Sequence, residues 1–267
     1  MRILAIVLSL FLLMPLLKAQ DPDTAYPFLF VGHRGASYLA PENTLSAIKL
    51  AWELGAYGAE CDVMLTADKK VVLFHDKNTK KLTGQNLSVE EATWEVLKPL
   101  VVIPRETNRP EYTNETIPLL EDVLAVIPED RMLVIEIKTG PEILPHLREV
   151  IAQHWERGKI SFIAFDFETI KQAKALYPEV NCYYLSSFKS DTNKHFDAVV
   201  ESGLDGVDLR YNIIDEELME RCNASGLDVW CWTVNDPEMA KKMQQLGVSA
   251  VTTDRPAWLK SNMQTEN

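Results

Sequence analysis

Phe28-Leu29-Phe30-Val31-Gly32-His33-Arg34-Gly35 is an apolar, strand-like run that stops at a histidine and an arginine. The residues at its end decide between two parallel-sheet architectures. An open doubly wound sheet carries a glycine-rich phosphate turn after its first strand, and His33-Arg34-Gly35 is not that turn. Seven further short runs, apolar and rich in β-branched residues, occur at 57–65, 132–137, 160–165, 180–185, 204–209, 227–234 and 248–252. Helical patterns at 44–54, 144–155, 167–176, 215–225 and 237–246 lie between most of them. Parallel neighbours need a crossover and a helix supplies it, so eight strands alternating with helices predict a (β/α)8 (TIM) barrel.

The stretch 77–129 breaks this rhythm, being polar, proline-rich and without a long strand. It is too short for a domain and reads as a small capping excursion between the second and third barrel strands, placed to cover the mouth. A length of 267 residues suits a single barrel domain, expected over 26–262. Met1-Arg2 and the apolar 3–17 run, with Ala19 behind it, read as a signal peptide over 1–19. Pro15 interrupts that run, which is shorter than a spanning helix requires, so the expectation is an exported, periplasmic or extracellular protein without stable membrane insertion after processing.

A net charge of −12 argues against nucleic acid and anionic membranes as partners, because attraction to polyanions needs a basic field. A small anionic substrate would have to be drawn in locally, by Arg34, Lys138 or a bound cation. Of the four cysteines, Cys61 and Cys231 alternate with residues assigned to the barrel interior. They are expected to face the helices as small apolar groups, with no functional disulfide.

Glu60 and Asp62 stand two apart on a strand, so both project from one face. Glu136 and Lys138 repeat the spacing on the next strand. Three carboxylates gathered in a barrel mouth repel one another, and a divalent cation would offset the cost of burying them. Oxygen-only ligation points to a hard ion. The competing reading of Glu136 and Lys138 is a simple mutual ion pair. Arg34 is placed to hold a non-bridging phosphate oxygen, with Lys138 sharing that load. His33 and His75 each stand at the end of an apolar run, whereas His146, His154 and His195 read as packing or surface residues.

These motifs resemble the glycerophosphodiester phosphodiesterase family: His33-Arg34-Gly35, Glu42-Asn43-Thr44, Glu60-Cys61-Asp62 and His75-Asp76 match its order. The likeness continues through Ile117 to Asp122, Glu136-Ile137-Lys138, Trp232-Thr233-Val234-Asn235 and Thr252 to Pro256. The resemblance implies a barrel enzyme that cleaves glycerophosphodiesters to glycerol 3-phosphate and an alcohol. It implies Glu60, Asp62 and Glu136 as ligands of Ca2+ or Mg2+, and His33 and His75 as the acid–base pair. It places Trp232 in the wall of the alcohol pocket, and Glu42 is counted with the substrate-binding residues Arg34, Lys138 and Trp232. His75 is expected to be the acid, since it borders the excursion where an alcohol can leave. The chain departs from the family pattern at Ala164-Phe165-Asp166, where Ser-Phe is usual.

The same residues admit two rivals. A barrel lipase for intact lipids would need an apolar rim, and the excursion is mostly polar. A silent binding module for phosphorylated polyols would be favoured by loss of either histidine, and both are present.

Overall fold

The computed structural model describes residues 28–263. Its strands are β1 (Leu29–Gly32), β2 (Gly58–Leu65), β3 (Val71–Leu73), β4 (Met132–Ile137), β5 (Lys159–Ala164), β6 (Asn181–Ser186), β7 (Gly206–Arg210), β8 (Asp228–Trp232) and β9 (Ala250–Thr253). All except β3 are parallel and run in the order β1-β9-β8-β7-β6-β5-β4-β2, and β1–β2 pairing shuts the ring. The expected (β/α)8 barrel is therefore the architecture. β1 stops at Gly32, which leaves the far part of β2 without that neighbour. β3 turns back to pair with it antiparallel, Val63 against Leu73.

The crossovers begin with α1 (Leu45–Glu53); the excursion then carries α2 (Lys80–Thr83), α3 (Trp94–Leu97) and α4 (Leu120–Leu124). Next come α5 (Leu144–His154), α6 (Phe167–Leu176), α7 (Lys189–Glu201), α8 (Glu216–Ala224), α9 (Pro237–Leu246) and α10 (Pro256–Met263). Side-chain caps fix several starts: Thr44 accepts from the Ala47 amide, Asp166 from Thr169 and Asp215 from Leu218. Such a cap satisfies an amide that the first helical turn leaves unpaired. Helix α7 is not announced by any helical pattern in the sequence. Its buried positions are Thr192, Phe196 and Val199, too few and too polar to raise an apolar period.

Apolar residues divide by face. Between barrel and helices pack residues such as Val63, Ile135 and Phe162, and all four cysteines lie there, free and buried. Inside the barrel, Val31, Met132, Val134, Ile163, Tyr183, Leu185, Trp230 and Ala250 form a plug. The excursion has a core of its own, in which Leu82, Val89, Leu97, Leu100, Val102 and Ile117 pack on Met64, Val72 and Phe74. This core seats it on β2 and β3 as the expected cap. No helix among the described residues is long and apolar enough to cross a membrane. The expected signal peptide, 1–19, and the start of the expected domain at 26 lie outside the described residues.

Candidate active site

The turn after β1 is built around two left-handed residues. Arg34 has φ 54° and Asn43 φ 56°, a conformation that costs an L-residue energy and recurs at functional sites. Gly35 permits the turn, since a Cβ there would lie 2.3 Å from the Ala47 carbonyl carbon. The Arg34 amide donates to Glu60 Oε2 at 2.8 Å, so the backbone of the arginine also orients an acid.

Glu60, Asp62 and Glu136 converge where β2 pairs with β4, with Asp62 and Glu136 as register partners. One carboxylate oxygen from each lies within 4.8 Å of the others. Burial, followed by the charges of Asp62 and Glu136, pushes the Glu60 carboxyl well above its usual range. Glu136 is pushed up to about 7 by burial and by Asp62. Burial opposes the charge of Asp62 as well, yet Arg34, Lys138 and His75 hold its carboxyl below the usual range. Glu60 Oε1 is buried with no hydrogen-bond partner. Three converging acids, one with an orphaned oxygen, fit a hard divalent cation, whose charge removes the repulsion and whose coordination shell accepts oxygen. The Glu136–Lys138 pair also forms, at 2.7 Å, so the simple ion pair and the acidic cluster coexist.

The two histidines are held alike. His33 Nδ1 lies 2.7 Å from Asp254 Oδ1, and His75 Nδ1 lies 2.7 Å from Asp76 Oδ1. With Nδ1 occupied, Nε2 is the nitrogen left for proton transfer. Asp254 is fixed in turn by Asn235 Nδ2 at 2.7 Å and Ser37 Oγ at 3.2 Å. Burial works against its charge, but His33, Asn235 and Ser37 hold the carboxyl well below the usual range. Burial lowers the His75 pKa and Arg34 and Lys138 push the same way, against Asp62 and Asp76.

A cavity of about 200 Å³ brings His33, Arg34, Glu60, His75, Glu136, Lys138 and Trp232 together with Phe165 and Asp208. Phe165, at the departure from the family pattern, stands edge-on to Trp232 with centroids 5.5 Å apart and lies under Lys138 Nζ. Its neighbour Asp166 caps α6. Glu42 is placed differently from expectation. It is buried behind Arg34 with one oxygen on Arg34 and the other on Arg105 of the excursion, so any effect on substrate runs through Arg34. A larger cleft of about 280 Å³ beside Tyr38, Leu39 and Trp258 is apolar and holds none of the acids or histidines of the site.

Residues 33–258 match the glycerophosphoryl diester phosphodiesterase family. The chain belongs to that family. As a member it is a phosphoric diester hydrolase, and relatives support the assignment over most of its length. The glycerophosphodiester phosphodiesterase of Caldanaerobacter subterraneus subsp. tengcongensis is 31% identical over 236 residues, covering 86% of this chain and 96% of its own. An Oleispira antarctica phosphodiesterase, solved in complex with the product sn-glycerol-3-phosphate, superposes with a TM-score of 0.80 at 29% identity, over 89% of this chain and 97% of that one. The glycerophosphodiester phosphodiesterase of Thermotoga maritima gives a TM-score of 0.73 at 26% identity, over 89% and 98%.

Proposed function

We propose that this family member hydrolyses glycerophosphodiesters to glycerol 3-phosphate and a free alcohol, with a divalent cation, Ca2+ or Mg2+, as cofactor. One observation carries the reading: a single cavity is lined by Glu60 and Glu136 of the acidic trio, by Arg34 and Lys138, and by two histidines each backed by a carboxylate. The product found in the Oleispira antarctica relative supports the same substrate class. A cation held by Glu60, Asp62 and Glu136 would supply charge neutralisation and polarisation at the phosphoryl group.

The chain's own residues then account for the proton transfers. Arg34 and Lys138 hold the non-bridging oxygens and offset the charge that grows on them in the transition state. His33 Nε2 takes the proton of the glycerol hydroxyl next to the phosphate, and Asp254 stabilises the imidazolium that results. The freed oxygen attacks phosphorus as the bond to the alcohol breaks, and His75 Nε2 gives that alcohol its proton. An imidazolium whose pKa burial has lowered surrenders a proton readily, which suits the acid role. A cyclic glycerol phosphate results, and water opens it with the two roles exchanged. Trp232 and Phe165 form an aromatic edge against which the departing alcohol packs.

The test is an assay of the purified chain against glycerophosphodiesters after chelation and after Ca2+ or Mg2+ is restored. Activity that vanishes and returns supports the reading, and full activity in excess chelator contradicts it. The same proposal places the mature chain outside the cytoplasm, beginning near Gln20. N-terminal sequencing of exported material checks this, and an intact Met1 in a membrane fraction contradicts it.

A further inference from the structure

Asp208 stands apart from the other two acids that line the cavity, Glu60 and Glu136, which belong to the trio. It lies on β7, in register with Leu185 of β6 and Trp230 of β8, both members of the apolar plug. Only 1% of its surface is exposed, and its Oδ1 has no hydrogen-bond partner. Its carbonyl accepts from Trp232 Nε1 at 3.1 Å, which ties the same residue to the aromatic edge. Going round the ring through β4, β5 and β6, β7 stands across the barrel from β2 and its acids.

A buried carboxyl with an unsatisfied oxygen is costly, and such groups are retained where a ligand completes them. Here the ligand reaches it through the cavity that Asp208 lines. The apolar neighbours Ile163 and Leu185 leave it as a polar point on an otherwise apolar stretch of wall, an arrangement that orients a ligand by one hydroxyl. The cations of the cavity, Arg34 and Lys138, stand with the acids of β2 and β4 and not beside Asp208, so a phosphate belongs on that wall. In a glycerophosphodiester the half that never varies is the glycerol, and it suits an enclosed wall, whereas the variable alcohol needs the open side.

Resting on the function proposed above, we propose that Asp208 hydrogen-bonds the terminal, non-reacting hydroxyl of the substrate's glycerol and thereby sets the enzyme's preference for glycerol esters. It is a specificity residue that holds the glycerol across the barrel while the neighbouring hydroxyl reacts near the histidines.

The experiment compares kcat/KM for glycerophosphoethanolamine with that for the matching propane-1,2-diol phosphodiester, which keeps the neighbouring hydroxyl and lacks the terminal one. The wild-type enzyme should prefer the glycerol ester by about 10–100-fold, the size of one buried hydrogen bond left unmade. Asp208→Leu should bring that ratio close to one, and Asp208→Asn, which still bonds a hydroxyl, should keep most of it. Both variants should melt no lower than wild type, because each removes a buried acid without a full set of partners. A Leu variant that keeps the wild-type ratio, or that loses both substrates equally, overturns the specificity role while leaving the enzyme's function intact. So does a wild-type enzyme that cleaves both esters with no preference. A wild-type enzyme that cleaves neither ester overturns the proposed function and this role together.

Discussion

Asn43 grips Asp62 at both ends: its Nδ2 donates to Asp62 Oδ2 at 2.7 Å, and its Oδ1 accepts from the Asp62 amide at 3.0 Å. This double contact is made by a residue in left-handed geometry, and it sets the direction in which Asp62 faces Glu60 and Glu136. Partners behind a ligating carboxylate govern affinity nearly as strongly as the ligands themselves. Asn43→Ala should weaken cation binding about 10–100-fold. Calorimetric titration with Ca2+ and Mg2+ measures this directly, and unchanged affinity would show that Asp62 needs no such support.

The two histidine–carboxylate pairs should respond differently to neutralisation. Asp254 is tied down by Asn235 and Ser37, so Asp254→Asn disturbs both the tautomer and the imidazolium of His33. Its kcat should fall by about 10²–10⁴-fold, the range for loss of an effective acid–base group.

Asp76 raises the His75 pKa by its hydrogen bond, against burial. Asp76→Asn should therefore lower that pKa further. Because His75 must be protonated to act as the acid, the alkaline limb of the kcat/KM profile should move to lower pH. A limb that stays in place, or moves upward, would count against the assignment of His75.

Cation binding should be linked to the proton on Glu136. Its folded pKa of about 7 lies above the ordinary 4.5, so in the cation-free protein the folded state holds more protons than the unfolded one between these values. Stability from this group is full below the lower value and is lost as pH rises through the upper one. A cation must displace that proton, so the rise in Tm on adding metal should grow from pH 6 to pH 8. Melting curves with and without metal across this window check the sign.

Glu42 neutralises Arg34 and Arg105 from a buried position. Glu42→Gln should destabilise the fold by about 3–5 kcal/mol, the usual result of removing one partner of a buried pair. It should also raise KM as Arg34 loses its fixed direction. Arg105→Ala should do much less to stability, because that side chain is 48% exposed. Denaturant melts and substrate titrations separate the two effects.

The barrel was legible because each of its strands leaves a short apolar run, and the acidic trio because the Glu60–Asp62 spacing puts two side chains on one face. Helix α7 was hidden by Thr192 at a buried position and by a polar surface. Asp76, Asn43 and Asp254 stood in plain sight within the motifs, but their work is to hold other residues, and contacts such as His33 to Asp254 span most of the chain. Glu42 misled for the same reason, since nothing in its neighbourhood announces Arg105. Asp208 did leave a signal, an acid in the middle of an apolar strand, and Ala164 left another, beside Phe165, by standing where the family's Ser-Phe has its serine.

The central claim, that His33 and His75 divide base and acid between them, is tested most directly by one comparison. His33→Ala and His75→Ala are assayed on a natural glycerophosphodiester and on its nitrophenyl analogue, whose leaving group needs no proton. His75→Ala should lose about 10²–10⁴-fold on the natural substrate and far less on the analogue, while His33→Ala should lose heavily on both. Equal losses for both variants on both substrates would contradict the assigned acid, and near-normal rates for either variant would contradict the two-histidine mechanism itself.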